Sequence, residues 1–175
     1  EPGTKMALRK TINKKIGVIG TDATINNKAY SDELHRLNNK LEVYEKSCPL
    51  FVPLAEEGWL NKKATSLIAE EYLSELKMKD IDTLILGCTH YPLLSDVIQN
   101  VMGNNVNLID SGTAAALNVE SYLKKKDIFL SNKGKHKENH FYVTDMPKRF
   151  RKVAELFLGR EIQNVHKIDL EEIMI

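Results

Sequence analysis

Cysteine is scarce in this 175-residue chain, with two copies, Cys48 and Cys88, forty positions apart. Two distant thiols make no disulfide framework, and a chain of this length needs none, so a reducing cytoplasm is the expected setting. Long apolar runs are missing as well. No stretch approaches the roughly 18 to 20 residues that span a bilayer, and the first residues carry charges and glycine where a signal peptide would be apolar. No membrane association is expected. Net charge is nearly absent, because 25 basic and 24 acidic side chains almost cancel. Nothing therefore drives the chain as a whole toward nucleic acid or an anionic surface. Lysines 124–126 and the run Lys133-Gly134-Lys135-His136-Lys137 read as a solvated helix end and a loop. There is no internal repeat and no low-complexity segment. The chain opens Glu1-Pro2-Gly3 without an initiating methionine, so processing or cutting upstream is to be considered.

A hydrophobic content of 42% is that of a globular protein, and the length suits one sizeable core or two small ones. Strand and helix signals alternate. A short helix is predicted from about Thr4 to Lys10, then strands at 16–20, 41–45, 81–86 and 106–109. Between and after the strands, helices are predicted at 25–37, at 61–78 with Ala64, Leu67, Ile68, Tyr72 and Leu76 on one face, from Pro92 to Gly103, and from Thr113 to about Lys126. Prolines 49 and 53 predict an extended loop wall over Cys48–Pro53. Alternation of this kind predicts an α/β fold of right-handed βαβ units, with a mainly parallel sheet and flanking helices. The tail adds an exposed loop over 131–139, a strand at 141–144, a helix opened by Asp145 and Pro147 and closed by Gly159, and a strand at 165–170. Two strands and two helices are a thin basis for a separate domain, so the tail is expected to pack on something outside this sequence.

Chemistry concentrates in Leu84-Ile85-Leu86-Gly87-Cys88-Thr89-His90-Tyr91-Pro92-Leu93-Leu94. The apolar run suits a buried parallel strand, Gly87 permits close backbone approach, and Cys88 falls at the strand's carboxyl end, where open α/β sheets bind ligands. An unperturbed thiol, with a pKa of about 8.5, is only slightly ionised at neutral pH, and a strand-to-helix turn beside an imidazole is a sensible way to activate it. Cys88 and His90 equally fit a buried core cysteine followed by a capping threonine and a satisfied histidine. A zinc site is not expected, since Cys48 has no second Cys or His near it in sequence. Glu56, at the exit of the apolar segment after Cys48, suits proton transfer or plain solvation.

Four ordered motifs carry a resemblance. Gly87–Leu94 resembles the second-cysteine motif of bacterial glutamate racemases, within the aspartate/glutamate racemase family. Gly17-Val18-Ile19-Gly20-Thr21-Asp22-Ala23-Thr24, Cys48-Pro49-Leu50-Phe51-Val52-Pro53-Leu54-Ala55-Glu56 and Leu108-Ile109-Asp110-Ser111-Gly112 agree with that family in order and spacing, and the tail is similar to its C-terminus. The resemblance implies a pseudo-symmetric fold of two α/β domains with the substrate between them. Residues 1–109 would be the second domain, and 110–175 a returning segment that completes the first. Absent from this sequence are the family's N-terminal Asp-Ser motif and its first catalytic cysteine in a Cys-Asn-Thr setting. Cys48 matches a different family segment and is expected to be structural.

By that resemblance the activity is two-base racemisation of L-glutamate to D-glutamate for peptidoglycan, without cofactor or metal. Cys88 acts as thiolate toward one enantiomer and thiol toward the other, His90 assists its protonation balance, and Glu56 polarises or positions the opposite side of the site. Thr89, with Thr21 and Thr24, contributes to binding the substrate carboxylate or amine; for Thr21 and Thr24 helix capping explains the residues almost as well. Tyr91 and Pro92 read as turn and packing residues. Implied partners are glutamate, the missing N-terminal half and a second copy in a homodimer. With one thiol of two, the isolated chain is expected to be impaired. An aspartate or related amino-acid racemase is the alternative within the class, where Glu in place of His90 would have favoured it; a non-catalytic binding or interaction fragment is the alternative outside it.

Overall fold

Four strands, β1 (Lys15–Gly20), β2 (Glu42–Ser47), β3 (Thr83–Leu86) and β4 (Asn107–Asp110), form one parallel sheet in the order β2-β1-β3-β4. These coordinates are a computed structural model that describes residues 1–129 and 138–170, and they divide into two compact units, Glu1–Phe129 and Leu130–Ile175. The period of two along each strand sends side chains to opposite faces. Ile16, Val18, Ile85 and Ile109 join Ala7 of α1 (Pro2–Lys10) and Leu34 of α3 (Ala29–Leu37) in one core layer. Ile19, Leu84 and Leu86 face the other layer, with Leu73 of α5 (Lys63–Met78) and Ile98 of α6 (Ser95–Met102). Both faces are covered, as a parallel sheet with crossover helices requires.

A carboxylate fastens the amino-terminal edge of the sheet. Asp82, at the entrance to β3, accepts from the hydroxyls of Thr11 (2.7 Å) and Thr83 (2.9 Å) and from the N–H groups of Ile12 (2.6 Å) and Asn13 (2.7 Å). Burial alone would raise its pKa, but these donors outweigh burial and hold it below the usual carboxylate range. At the opposite edge, Asp110 caps α7 (Ser111–Lys125), accepting from Gly112 N–H at 2.8 Å and Thr113 N–H at 3.1 Å. Helix α7 packs on α1 and leaves Leu117, Val119 and Tyr122 about half exposed.

Several predicted elements need correction. The single helix over 25–37 is two, α2 (Asp22–Asn27) and α3, because Lys28 adopts the left-handed conformation at φ 56°. The extended wall over Cys48–Pro53 is replaced by α4 (Phe51–Glu56), in which Pro53 is the third helical residue and forfeits an N–H that has no intrahelical acceptor there. Helix α5 buries Thr65, Ala69, Leu73 and Leu76 and exposes Leu67, so its core face is rotated from the predicted one. Pro92 sits in a 3-10 turn, Tyr91–Leu94, which precedes α6; Gly103, at φ 86°, ends that helix.

The second unit pairs β5 (Phe141–Val143) with β6 (Val165–Lys167) in parallel, alongside α8 (Pro147–Leu158). The last strand is shorter than the predicted 165–170, and Met146, not Asp145, occupies the position before α8. Glu155 accepts from the N–H of buried Ile162 at 3.1 Å, while Tyr142, Phe157 and Leu158 are exposed. Of the predicted loop 131–139, residues 131–137 lie outside the described residues, as does the lysine run there. Among the described residues no helix is long and apolar enough to cross a membrane.

Candidate active site

Strand order places a crevice at the carboxyl edge between β1 and β3. The chain leaves β1 toward β2 on one side and leaves β3 toward β4 on the other, so the loops after the two central strands diverge and open the sheet's switch point. Thr21 and Thr24 lie on the loop and helix that follow β1, and Cys88, Thr89 and His90 on the turn that follows β3. Gly87 makes the approach possible: a Cβ there would stand 2.8 Å from the Ile19 carbonyl oxygen, 3.1 Å from the Tyr30 ring and 3.5 Å from the Thr24 methyl.

A row of three functional groups crosses this edge. Cys88 Sγ lies 3.9 Å from His90 Nδ1, and His90 Nε2 lies 3.3 Å from Glu56 Oε1, the last residue of α4. Cys88 is partly buried, and the His90 and Glu56 side chains keep about a quarter of their surface, 25% and 24%. A carboxylate at Nε2 favours the proton on that nitrogen and leaves the Nδ1 lone pair toward sulfur, so the ring can take the thiol proton; the imidazolium then formed is held between thiolate and carboxylate. Glu56 thus stands behind His90, at the ring nitrogen away from Cys88.

Thr89 is exposed on the same turn. Thr21 caps α2, with its Oγ1 3.4 Å from Thr24 N–H, and the two hydroxyls are 3.1 Å apart. The two hydroxyls thus serve the cap of α2, while the Thr24 methyl is the group that lies toward Gly87. Cys48 is fully buried, and burial pushes its thiol up to about 12, which keeps it protonated and inert at neutral pH. Among the described residues no group of three or more His, Cys, Asp or Glu is arranged to hold a metal ion.

Sequence reasoning read Tyr91 as a turn and packing residue and Tyr72 as part of an apolar helix face, without the cluster that they form with Phe51. Tyr91, fully buried, donates its hydroxyl to the Cys48 carbonyl at 2.9 Å, and Phe51 meets Tyr91 and Tyr72 edge to face at 5.3 and 5.4 Å. The available signal was a tyrosine inside an otherwise aliphatic helix start, a residue that buries its hydroxyl only when a partner is supplied. Asp22 and Ser47 are also hydrogen-bonded, tying α2 to the end of β2.

These features define an α/β protein with a parallel sheet, flanking helices and a thiol, an imidazole and a carboxylate in line at the switch point. A family model described as Asp/Glu/Hydantoin racemase matches residues 1–119, and the chain belongs to that family. It is 45% identical over 168 residues to a glutamate racemase of Chlorobaculum parvum, covering 96% of this chain and 61% of that protein. A glutamate racemase from a Thermoanaerobacter species is likewise 45% identical, over 97% of this chain and 64% of its own. Among solved structures, a Bacillus anthracis glutamate racemase superimposes with a TM-score of 0.87 at 36% identity (97% of this chain, 62% of that one). The Francisella tularensis glutamate racemase, solved with D-glutamate, gives 0.85 at 38% identity (98% and 62%). This chain thus spans less than two thirds of the length of these relatives.

Proposed function

We propose that the chain is the second-domain portion, with the returning C-terminal segment, of a cofactor-independent glutamate racemase that supplies D-glutamate for peptidoglycan. The observation that carries this proposal is the row Cys88, His90 and Glu56 at the sheet's switch point, in a chain similar to glutamate racemases over most of its own length. The Cys88 thiolate removes the α-proton from one face of the substrate, the electron pair passes into the carboxylate-stabilised carbanion, and an acid on the other face returns a proton. In the reverse direction Cys88 is the acid and must first hold a proton, which His90 can exchange with it. Glu56 acts on this balance through His90. Thr21, Thr24 and Thr89 are the hydroxyls offered to the substrate's charged ends.

Residues 1–109 would form this second domain, and 110–175 would return to a first domain that brings the matching thiol. Two features support that arrangement. Leu117, Val119 and Tyr122 of α7 present apolar surface, and β5 and β6 make a two-stranded sheet, which is marginal without further strands. The test is exchange of the glutamate α-hydrogen in deuterium oxide, followed by NMR. With the chain alone, any exchange should depend on Cys88 and proceed without inversion. With the first half of a similar racemase added, inversion should appear and should be abolished by Cys88→Ala. Full inversion by Cys88→Ala in that complemented system would overturn the proposal.

A further inference from the structure

We infer that Tyr91 is a positioning residue for the row, fixing His90 between Cys88 and Glu56 by gripping the start of α4; this rests on the proton-transfer role proposed above for those three groups. The row is assembled from two places in the chain. Cys88 and His90 belong to the turn after β3, Glu56 to the far end of α4, and the 3.3 Å separation of His90 from Glu56 depends on how α4 seats against that turn.

Tyr91 is bonded in sequence to His90 and supplies the fastening. Its hydroxyl donates to the Cys48 carbonyl, 2.9 Å away, and the same carbonyl accepts the Phe51 N–H at 3.1 Å, the bond with which α4 begins. Phe51 then packs its ring edge to face on Tyr91 (5.3 Å, 87°) and on Tyr72 of α5 (5.4 Å, 83°). Tyr72 in turn accepts the Leu50 N–H at 3.3 Å. Three rings and two hydroxyls thus lock the helix carrying Glu56 to the turn carrying His90. A phenylalanine at position 91 would fill the same volume; what the hydroxyl adds is direction, because a buried O–H is satisfied at one orientation only. Cys48, Cys88, Tyr72 and Asp22 are the ionisable groups that bear on Tyr91, while His90 and, through it, Glu56 bear on Cys88.

The experiment follows alkylation of Cys88 by iodoacetamide in the full 175-residue chain, read by peptide mass spectrometry. The quantity is the ratio of the rate at pH 7 to the rate at pH 9.5, which reads the help that the neighbouring imidazole gives the sulfur and cancels simple changes in access. Tyr91→Phe and His90→Asn should each lower that ratio about threefold or more, since either change removes the imidazole from its place beside sulfur. Met102→Ala, a core truncation at the far end of α6, should lower the melting temperature and leave the ratio unchanged. If His90→Asn lowers the ratio and Tyr91→Phe does not, the inference about Tyr91 fails while the row stands. It fails equally if Tyr91→Phe acts while His90→Asn does not, or if Met102→Ala matches the effect of Tyr91→Phe. No change in either His90→Asn or Tyr91→Phe would overturn the row and the inference together. Should Tyr91→Phe not fold, Phe51→Leu, which keeps the hydroxyl and loosens the ring lock, is judged by the same comparisons.

Discussion

Replacing Asp82 by Asn tests how far one carboxylate holds the amino-terminal edge of the sheet. The wild-type group accepts four hydrogen bonds, two to each oxygen, and the backbone donors of Ile12 and Asn13 both approach Oδ2. An amide keeps one acceptor oxygen and turns an NH2 on the other two donors. With the amide oxygen kept on the two backbone N–H groups, all four bonds lose the carboxylate charge and the Thr11 and Thr83 hydroxyls must turn to accept from the NH2, so Asp82→Asn should destabilise by about 2 kcal/mol. The pH dependence has a definite sign. Folding depresses the pKa of Asp82, so its contribution is complete above the unfolded carboxylate value of about 3.9 and fades as pH falls through the folded value. Urea unfolding followed by the fluorescence of Trp59, the single tryptophan, reports on this unit. The midpoints of wild type and variant should lie well apart at pH 7 and converge below pH 4. Equal midpoints at pH 7, or a gap that persists undiminished in acid, would refute the reasoning.

At pH 8 without denaturant, iodoacetamide should label one of the two cysteines, and Cys88→Ala should take almost no label, because Cys48 is fully buried and its thiol is pushed up to about 12; rapid labelling of Cys88→Ala would contradict this. Gly87→Ala should destabilise by about 2 to 3 kcal/mol, since its Cβ meets the Ile19 carbonyl at 2.8 Å and backbone must shift; a wild-type urea midpoint would show that the edge has slack. Glu45→Val on the outer strand β2 should stabilise by about 1 kcal/mol, because Glu45 buries a carboxylate oxygen that has no hydrogen-bond partner among the described residues and valine suits a strand; a lower melting temperature would reject it.

Much of this molecule is legible in its sequence, for local reasons. Apolar runs ending in glycine or a polar turn announced three of the parallel strands and the alternation of Leu41–Glu45 the fourth, and the position of Cys88 at a strand end followed from Leu84–Gly87 alone. Helix α4 was illegible because two prolines four positions apart, Pro49 and Pro53, ordinarily mark a loop, whereas Pro53 falls in a first turn where its missing N–H is of no consequence. The face of α5 was misjudged because a polar residue takes a core position: Thr65 is buried with its hydroxyl bound to the Trp59 carbonyl, and small Ala69 follows it on the same side. Lys28 has no glycine or proline to advertise the left-handed break between α2 and α3. The meeting of His90 with Glu56, and of Tyr91 with Cys48, joins residues dozens of positions apart, and no local pattern encodes it.

The interleaved strand order also bears on when during folding the row comes together. Because β1 pairs with β3 across the intervening strand, Ile16 finds Thr83 only after a long loop has closed, and parallel pairings of that kind form slowly. The imidazole that faces Cys88 is braced by a helix from the skipped interval, so a nascent or partly unfolded chain lacks the seat that holds His90 between sulfur and carboxylate. The row is therefore completed only when the sheet closes, which makes it one of the last parts of this unit to assemble.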